Sequence, residues 1–558
     1  MGDSTGLGGR AARRLDSFFL FLEKRRLSIL ALFVYLLIIS VARDLSEIFL
    51  LDREFVISGA PWIYSISHHV AFYFVVFLGL VLLLTAFSGE RWDKCTKYLA
   101  SIYWLILLPP WLDYYFFGAR TNYSYFSPTD FLNYLLHFSG EQTNPGQAIE
   151  VILILGLMLA FVLWKRRDEI GTVRGRLFLL SRAGLMLGFA VVAMFFMSTP
   201  GAYLPVGSEG GVSVFPNFAA TRYVQLHLFI YAYYLLLGVV LLFALGSLAM
   251  KGRFLSMVKR TRPAQSFFFL SIATAGIAYG WATAGGAEYV FSILERPYWI
   301  NLSSLIMALT AAYLTWQVSA LWNDVSDRKS DSPQRDDRVL ASGLFCSRDF
   351  MEGSVVLSAV AVFTAYLLSP ISAVVLLAIL VLSYIYSFPP FRLKNHLLSS
   401  VLVGLGAALV LMYGATAPFN EIVVRPVVGP LPTGVMIQPE LTPFALLLSF
   451  FATIGLVVGS MITDVDGFEE DRAGKVKTIY TVLGFQRGVV AVSGLVFVSA
   501  LTTLCLFNDL EDVLIFTILG ATAAYGFYRT KRSRTVLAIA VLGMIYGAFR
   551  FVQLFVAL

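Results

Sequence analysis

Apolar runs of roughly 18 residues or more recur along the whole chain, each bounded by a short polar stretch. In the first half they lie near residues 27–50, 68–88, 98–117, 147–164, 178–198 and 224–250. In the second half they lie near 266–290, 301–323, 353–369, 371–388, 397–417, 441–463, 486–507, 512–528 and 535–557. As helices rising ~1.5 Å per residue, such runs cross the ~30 Å hydrocarbon core of a bilayer. A closed β-barrel would also satisfy its backbone in lipid, but it needs short segments of alternating polarity, which this sequence does not show. The pattern therefore predicts an all-α polytopic membrane protein with about 15 transmembrane helices, six N-terminal followed by nine.

Composition agrees with the pattern. Of 558 residues, 58% are hydrophobic and only 14% charged, against about a quarter charged in soluble domains. The net charge of +7 gives no reason to expect nucleic acid, because the basic residues flank apolar runs, where they set topology. With the N-terminus inside and fifteen alternating spans, 35 of the 42 Lys and Arg fall on the cytoplasmic side. Removing one span in the middle would destroy that asymmetry. Met1–Leu15 reads as a short cytoplasmic tail without a signal-peptide cleavage site, and Gly6 stands where a myristoylation signal wants Ser or Thr. Three cysteines, Cys95, Cys346 and Cys505, suggest neither a disulfide framework nor a zinc site.

A basic stretch at 251–265 (Lys251, Arg253, Lys259, Arg260 and Arg262, then Pro263) marks a linker between a domain at 1–250 and another at 266–558. His68, His69, His137 and His227 fall at or beyond the outer helix ends of the first half. They read as interfacial histidines rather than metal ligands, since their spacing matches no metal motif. Arg550, near the outer end of the last span, reads as a side chain snorkelling to the interface.

The chemistry concentrates in two acidic stretches of the second half. The first is Asn323-Asp324-Val325-Ser326-Asp327-Arg328-Lys329-Ser330-Asp331, directly after the run ending at Trp322. On a helix Asp324, Asp327 and Asp331 share one face. They also crowd the C-terminal end, where the macrodipole disfavours anions, so outside cations are needed and divalent metal is the natural one. The second stretch, Asp464 to Arg472, ends the run 441–463 on the same side of the membrane. If that helix continues, Asp464 and Asp471 share a face. Two facing carboxylate clusters suit Mg²⁺, which usually retains waters and substrate phosphates as ligands. The guest is then a phosphate or diphosphate, and Arg328, Arg338, Arg472, Lys475 and Lys477 are candidates to balance its charge.

The first stretch resembles the UbiA family of intramembrane prenyltransferases, whose first motif reads N-D-x-x-D-x-x-x-D followed by R-P-x-x-S-G. Here the sequel is Arg338-Val339-Leu340-Ala341-Ser342-Gly343, with Val339 in place of Pro. Tyr386 to Lys394 resembles the family's Y-S-x-P-P-x-x-L-K stretch. Asp464, Glu469 and Asp471 match the second motif, D-x-x-D-x-E-G-D, before a basic stretch ending at Thr478. Gly467 occupies the column of the middle Asp, and Asp466 stands one residue early.

The resemblance covers the C-terminal half and implies a nine-helix bundle. It also implies a prenyl diphosphate held by two Mg²⁺ between the motifs. Asp324, Asp327, Asp331, Asp464 and Asp471 would hold metal, with Asp466, Glu469 and Tyr386 as further site residues. Asn323, Arg328, Arg338, Lys394, Arg472, Lys475 and Lys477 would hold the diphosphate. The leaving diphosphate is neutralised as the C–O bond ionises to an allylic cation, which an acceptor then captures.

Phe267, Phe268, Phe269, Tyr279, Tyr313, Trp316 and Tyr413 are candidates to line a tunnel for the prenyl chain. The acceptor class stays open between an aromatic ring and a polar lipid precursor. The competing reading is a lipid or isoprenoid carrier that retains a diphosphate site, although the paired broken helices of a transporter are not evident. Residues 1–250 resemble no family and have no role assigned.

Overall fold

The computed structural model describes residues 7–557 except 25, 52–62, 119–124, 138–143, 168–171, 201–218, most of 251–260, 286–297, 328–345, 418–420, 425–433, 438–442 and 475. The chain divides into two compact units, residues 1–259 with 422–435, and 260–421 with 436–558. The described residues include 13 helices long and apolar enough to cross a membrane, as an integral multi-pass protein requires.

The first unit contains α1 (Leu7–Lys24), α2 (Ile29–Leu50), α3 (Ile63–Ser88), α4 (Trp92–Ile102), α5 (Leu108–Leu112), α6 (Pro128–His137), α7 (Pro145–Lys165), α8 (Val173–Ser198) and α9 (Ala219–Met250). Two of its helices begin at a side-chain cap: Ser28 accepts from Ala31 N–H at 3.2 Å, and Thr172 from Gly175 N–H at 3.0 Å. Its core joins Phe77, Leu84, Leu99, Tyr103, Met158 and Phe161.

The span predicted at 98–117 departs from one regular helix. The chain winds from α4 through a 3₁₀ turn, Tyr103–Leu107, into α5 and then a π turn, Asp113–Phe117, which closes at left-handed Gly118. Pro109 and Pro110 cause the break, because neither can donate the backbone hydrogen bond that a continuous α-helix needs.

The second unit contains α10 (Pro263–Gly285), α11 (Tyr298–Asp327), α12 (Ser347–Leu368), α13 (Pro370–Ser387), α14 (Ser399–Thr416), α15 (Pro443–Thr463), α16 (Phe468–Ala473), α17 (Ile479–Leu483), α18 (Phe485–Thr502), α19 (Leu510–Thr530) and α20 (Ser533–Ala557). Between α14 and α15 in sequence, a short two-stranded ribbon, Glu421–Val424 with Gly434–Ile437, falls mostly to the first unit. Lipid tails are as apolar as the helices, so close backbone packing has to hold such a bundle together.

α10 and α14 show that packing. A Cβ added at Gly276 would meet Leu411 O at 2.2 Å, and one at Gly414 would meet Ala273 O at 2.2 Å. Gly280 repeats the approach one turn on, 2.6 Å from Ala415 O, so Gly276-x-x-x-Gly280 is the small-residue seam of this pair. Gly404 brings α14 equally close to α15 at Thr453 O, 2.6 Å from a built Cβ.

One sequence expectation needs correction, and one gains detail. Arg550 does not reach for the interface alone. It pairs with Asp509 and Asp512, 2.8 Å from Asp512 Oδ1, while Tyr546 OH donates to the same carboxylate at 2.6 Å. His68 and His227 are buried among neighbouring side chains, and their rings stack at 4.5 Å. Neither arrangement follows from an apolar pattern that cannot say which helices meet. The side chain of His137 lies outside the described residues.

Candidate active site

The end of α11 carries Asn323, Asp324 and Asp327. Asp324 is buried and pairs with the Arg262 guanidinium, which enters from the residue just before α10. Arg262 is held there by a left-handed backbone (φ 54°), and Gln317 on α11 ties down both sides of it, its side-chain N–H donating to Thr261 O at 3.4 Å and to Ser266 Oγ at 3.2 Å. Asp327 pairs with Lys394 Nζ and lies 3.5 Å from Arg392. Lys394 Nζ also donates to Ser326 Oγ at 2.6 Å and to Asn323 Oδ1 at 3.3 Å. The macrodipole disfavours carboxylates at a helix C-terminus. The chain answers with cations from two separate loops.

The Tyr386–Lys394 stretch brings those cations in. α13 ends at Ser387, and Pro389 and Pro390 keep the chain from continuing as helix. Arg392 then takes a left-handed conformation, φ 39° and ψ 53°, unusual outside glycine, with its N–H bonded to Phe388 O at 2.8 Å. This turn aims Arg392 and Lys394 back at α11. It also reaches the second motif, because Lys477 N–H donates to Asn395 O at 3.1 Å. Tyr386 lies within electrostatic range of both Asp464 and Asp327. The two acidic stretches therefore meet around one loop.

The second motif does not continue α15 as a helix. The chain turns over Asp464–Gly467, a turn-forming Asp-Val-Asp-Gly sequence, and restarts as α16. Asp464 and Asp471 come together across that turn rather than along one face. Burial first, and then the charge of Asp471, raise the Asp464 carboxyl to about 7. Asp471 is raised by burial and by Glu470. Among the described residues no Lys or Arg pairs with either carboxylate. Asp466 turns away and accepts from Ser533 Oγ at the start of α20. Gly467 sits beside the site, where a built Cβ lies 3.8 Å from Asp471 Oδ2. Glu469, Arg472 and Lys477 are exposed. Tyr480 pins α17 to α15 by donating to Met461 O at 3.0 Å.

Beneath the first motif lies a cavity of about 370 Å³, lined by Arg262, Asn323 and Tyr386 at its polar end and by Phe268, Phe269 and Trp316. The rings of Phe269 and Trp316 stand 5.2 Å apart. Of the tunnel candidates, these three aromatic residues line the space. Tyr413 instead packs inside the bundle, donating to Ala308 O at 2.9 Å, and Tyr279 is buried beside Ala415 and Ala445. Phe267 is exposed on the outside of α10, and Tyr313 does not line the cavity.

Asp331, Arg328, Arg338 and Lys475 lie outside the described residues. Among the described residues no three His, Cys, Asp or Glu side chains converge as a metal cage. A cage is not what Mg²⁺ requires, since one or two carboxylates with waters and phosphate oxygens suffice. Asp464 and Asp471, close together and without a cation, fit that donor set. Arg262 and Arg392 are site residues that sequence reading missed as such. The signals were a basic residue immediately before Pro263, and a basic residue two before Lys394 in the Pro-Pro stretch.

Residues 281–549 match the sequence profile of the UbiA prenyltransferase family. No curated protein matches the chain. Among solved structures, one described as digeranylgeranylglyceryl phosphate synthase in membranes is 10% identical, with a TM-score of 0.39, over 55% of this chain and 98% of that one. A UbiA homologue from Archaeoglobus fulgidus bound to GPP and Mg²⁺ is 14% identical, with a TM-score of 0.38, over 53% and 98%. The same homologue bound to DMAPP and Mg²⁺ is 15% identical, with a TM-score of 0.36, over 52% and 87%.

Proposed function

From the match of residues 281–549 to the UbiA prenyltransferase family, we propose that the C-terminal unit transfers an isoprenoid chain from a prenyl diphosphate to an acceptor within the membrane. The observation that carries this reading is the Tyr386–Lys394 loop, whose Lys394 holds Asp327 and whose neighbour Asn395 is bonded to the second acidic motif. Below it, an aromatic-walled cavity runs into the bundle.

In this reading Asp324, Asp327, Asp464 and Asp471, with Asp331, hold two Mg²⁺, and Asn323, Arg328, Arg338, Lys394, Arg472, Lys475 and Lys477 serve the diphosphate. Bound Mg²⁺ supplies positive charge that stabilises the departing diphosphate. Lys394 and Arg262 are already paired to carboxylates, so they hold the acidic walls in place before substrate arrives. Phe268, Phe269 and Trp316 exclude water and offer their ring faces to the allylic cation. The C–O bond breaks with its electrons on the diphosphate, the acceptor nucleophile bonds to the same carbon, and the acceptor proton passes to solvent. The acceptor is an aromatic ring or a polar lipid precursor.

Purified full-length protein with Mg²⁺ and a labelled prenyl diphosphate tests the reading. Release of diphosphate or labelling of an acceptor supports it. Tight binding without turnover across aromatic and polar-lipid acceptors would instead make the protein a carrier. The acidic motifs face the cytoplasm in this scheme. Exposed Cys346, one residue before α12, should then escape an impermeant maleimide in intact cells and react after permeabilisation.

A further inference from the structure

The first unit holds a second, separate concentration of buried polar groups. Arg43, Asp44 and Glu47 on α2 are almost fully buried, although charged side chains are costly at membrane depth. Each is engaged. Arg43 Nε lies 3.3 Å from Glu47 and donates to Tyr73 OH at 3.1 Å, while Asp44 meets His69 Nδ1 at 2.6 Å. On α3, His68 Nδ1 bonds Tyr125 OH at 2.9 Å, and from the 3₁₀ turn after α4 Tyr103 OH donates to Tyr73 O at 2.5 Å.

This network borders a cavity of about 170 Å³, far more than the roughly 10–15 Å³ that one water needs. Its polar lining is Arg43, Tyr73, Gln147 and Glu150, and most of the rest is apolar, including Leu80 and Met197. Gln147 and Glu150 lie one turn apart on α7, an otherwise apolar helix, and so share the face turned to the cavity. Glu150 keeps accessible surface. It lies within electrostatic range of Arg43 and Glu47, yet among the described residues no cation pairs with it. Arg43 is already balanced by Glu47. Glu150 is therefore an acid on the cavity wall with no basic partner among the described residues.

We propose that this cavity is a binding site for a non-anionic amphiphile whose head donates hydrogen bonds to Glu150 and Gln147 and whose apolar body lies against Leu80 and Met197. A hydroxyl or an ammonium supplies that chemistry. A phosphate or carboxylate head does not, because Arg43 is already paired with Glu47 and the wall offers it an acid, Glu150, rather than a further cation. The proposal is independent of prenyl transfer.

Full-length protein in nanodiscs, photolabelled with decylamine, decanol and decyl phosphate bearing the same diazirine, tests it. Decylamine or decanol, or both, should label the cavity walls saturably, with decyl phosphate the weakest. Glu150→Gln should lower amine labelling about tenfold and leave alcohol labelling within about twofold, which separates an ammonium ligand from a hydroxyl one. Ala193→Phe fills the cavity without touching its charges and should abolish both. Preferential labelling by decyl phosphate would overturn the proposal. So would labelling that Ala193→Phe leaves intact, or the absence of saturable labelling in the first unit. Wild-type elution on size exclusion and wild-type prenyl turnover show that each variant is folded.

Discussion

The two acidic clusters of the second unit carry the same side chains in opposite electrostatic states. Asp324 and Asp327 stand at a helix C-terminus and each already has a cation, Arg262 for one and Lys394 for the other. Asp464 and Asp471 stand on either side of a turn and repel each other, with the Asp464 carboxyl pushed up to about 7. The first cluster is a preformed, charge-balanced wall. The second is strained until a cation arrives, and so it is where metal binding should change the protein most. The difference shows that matching a motif residue by residue does not fix the role of each acid. The charge around it does.

The largest effects should come from removing one member of each cluster. Asp464→Asn should lower turnover by ~10²–10³-fold, in line with losing one charge-stabilising group at a reacting centre. Lys394→Ala should cost less, about 10–100-fold, as loss of a supporting group does. Their effects on the metal-free fold should have opposite signs. Asp464→Asn relieves repulsion and should raise the melting temperature, whereas Lys394→Ala leaves Asp327 short of a partner and should destabilise by about 1–3 kcal/mol. Thermal melts in detergent, with EDTA, read both. If the two variants shift the melt in the same direction, the contrast between the clusters is wrong.

A smaller effect follows from the raised Asp464 carboxyl. Its ordinary value is 3.8 and its folded value about 7, so between these pH values the folded chain binds the extra proton. Stability of the metal-free protein therefore falls as pH rises through this window and reaches its low level above about 7. Melting with EDTA should occur at higher temperature near pH 6 than near pH 8. Mg²⁺ competes with that proton, so its stabilising effect should be larger near pH 8. A metal-free melt that rises toward pH 8 would show that Asp464 is compensated by something else.

Much of this was legible in the sequence. Spans could be read because apolar length is a one-dimensional property. The first motif, the Tyr386–Lys394 stretch and the lysine that meets Asp327 could be read because a resemblance covered them. Arg262 was read only as a topology-setting base, since nothing local to 251–265 says that it reaches a carboxylate on α11. The turn at Asp464–Gly467 was missed because an i, i+7 spacing looks equally good on a continuous helix, and only the packing of α16 and α17 shows the chain restarting. Pro109 and Pro110 were visible, yet the apolar run around them masked the break. The buried histidines and the Arg550 pair depend on which helices meet, and hydrophobicity does not encode that in a membrane bundle.

The smallest expected effect is the sharpest check on the second cluster. Where the family pattern has its middle Asp, this chain has Gly467, with Asp466 one residue early. Were Asp466 a metal ligand displaced by one position, Asp466→Ala would cost as much as Asp464→Asn. Its carboxylate instead takes a hydrogen bond from Ser533 at the start of α20, which ties a turn to a helix and leaves the pair of Asp464 and Asp471 untouched. Asp466→Ala should then change turnover by no more than about threefold and cost about 1 kcal/mol, the worth of one hydrogen bond at a partly exposed site. Ser533→Ala should reproduce that loss, because it removes the other half of the same bond, and the double variant should be no worse than either alone. Gly467→Asp would put a carboxylate next to Asp471 and should tighten Mg²⁺ binding while lowering the metal-free melting temperature. If Asp466→Ala abolishes turnover while Ser533→Ala does not, Asp466 reaches the metal after all, and the second cluster has three acids rather than two.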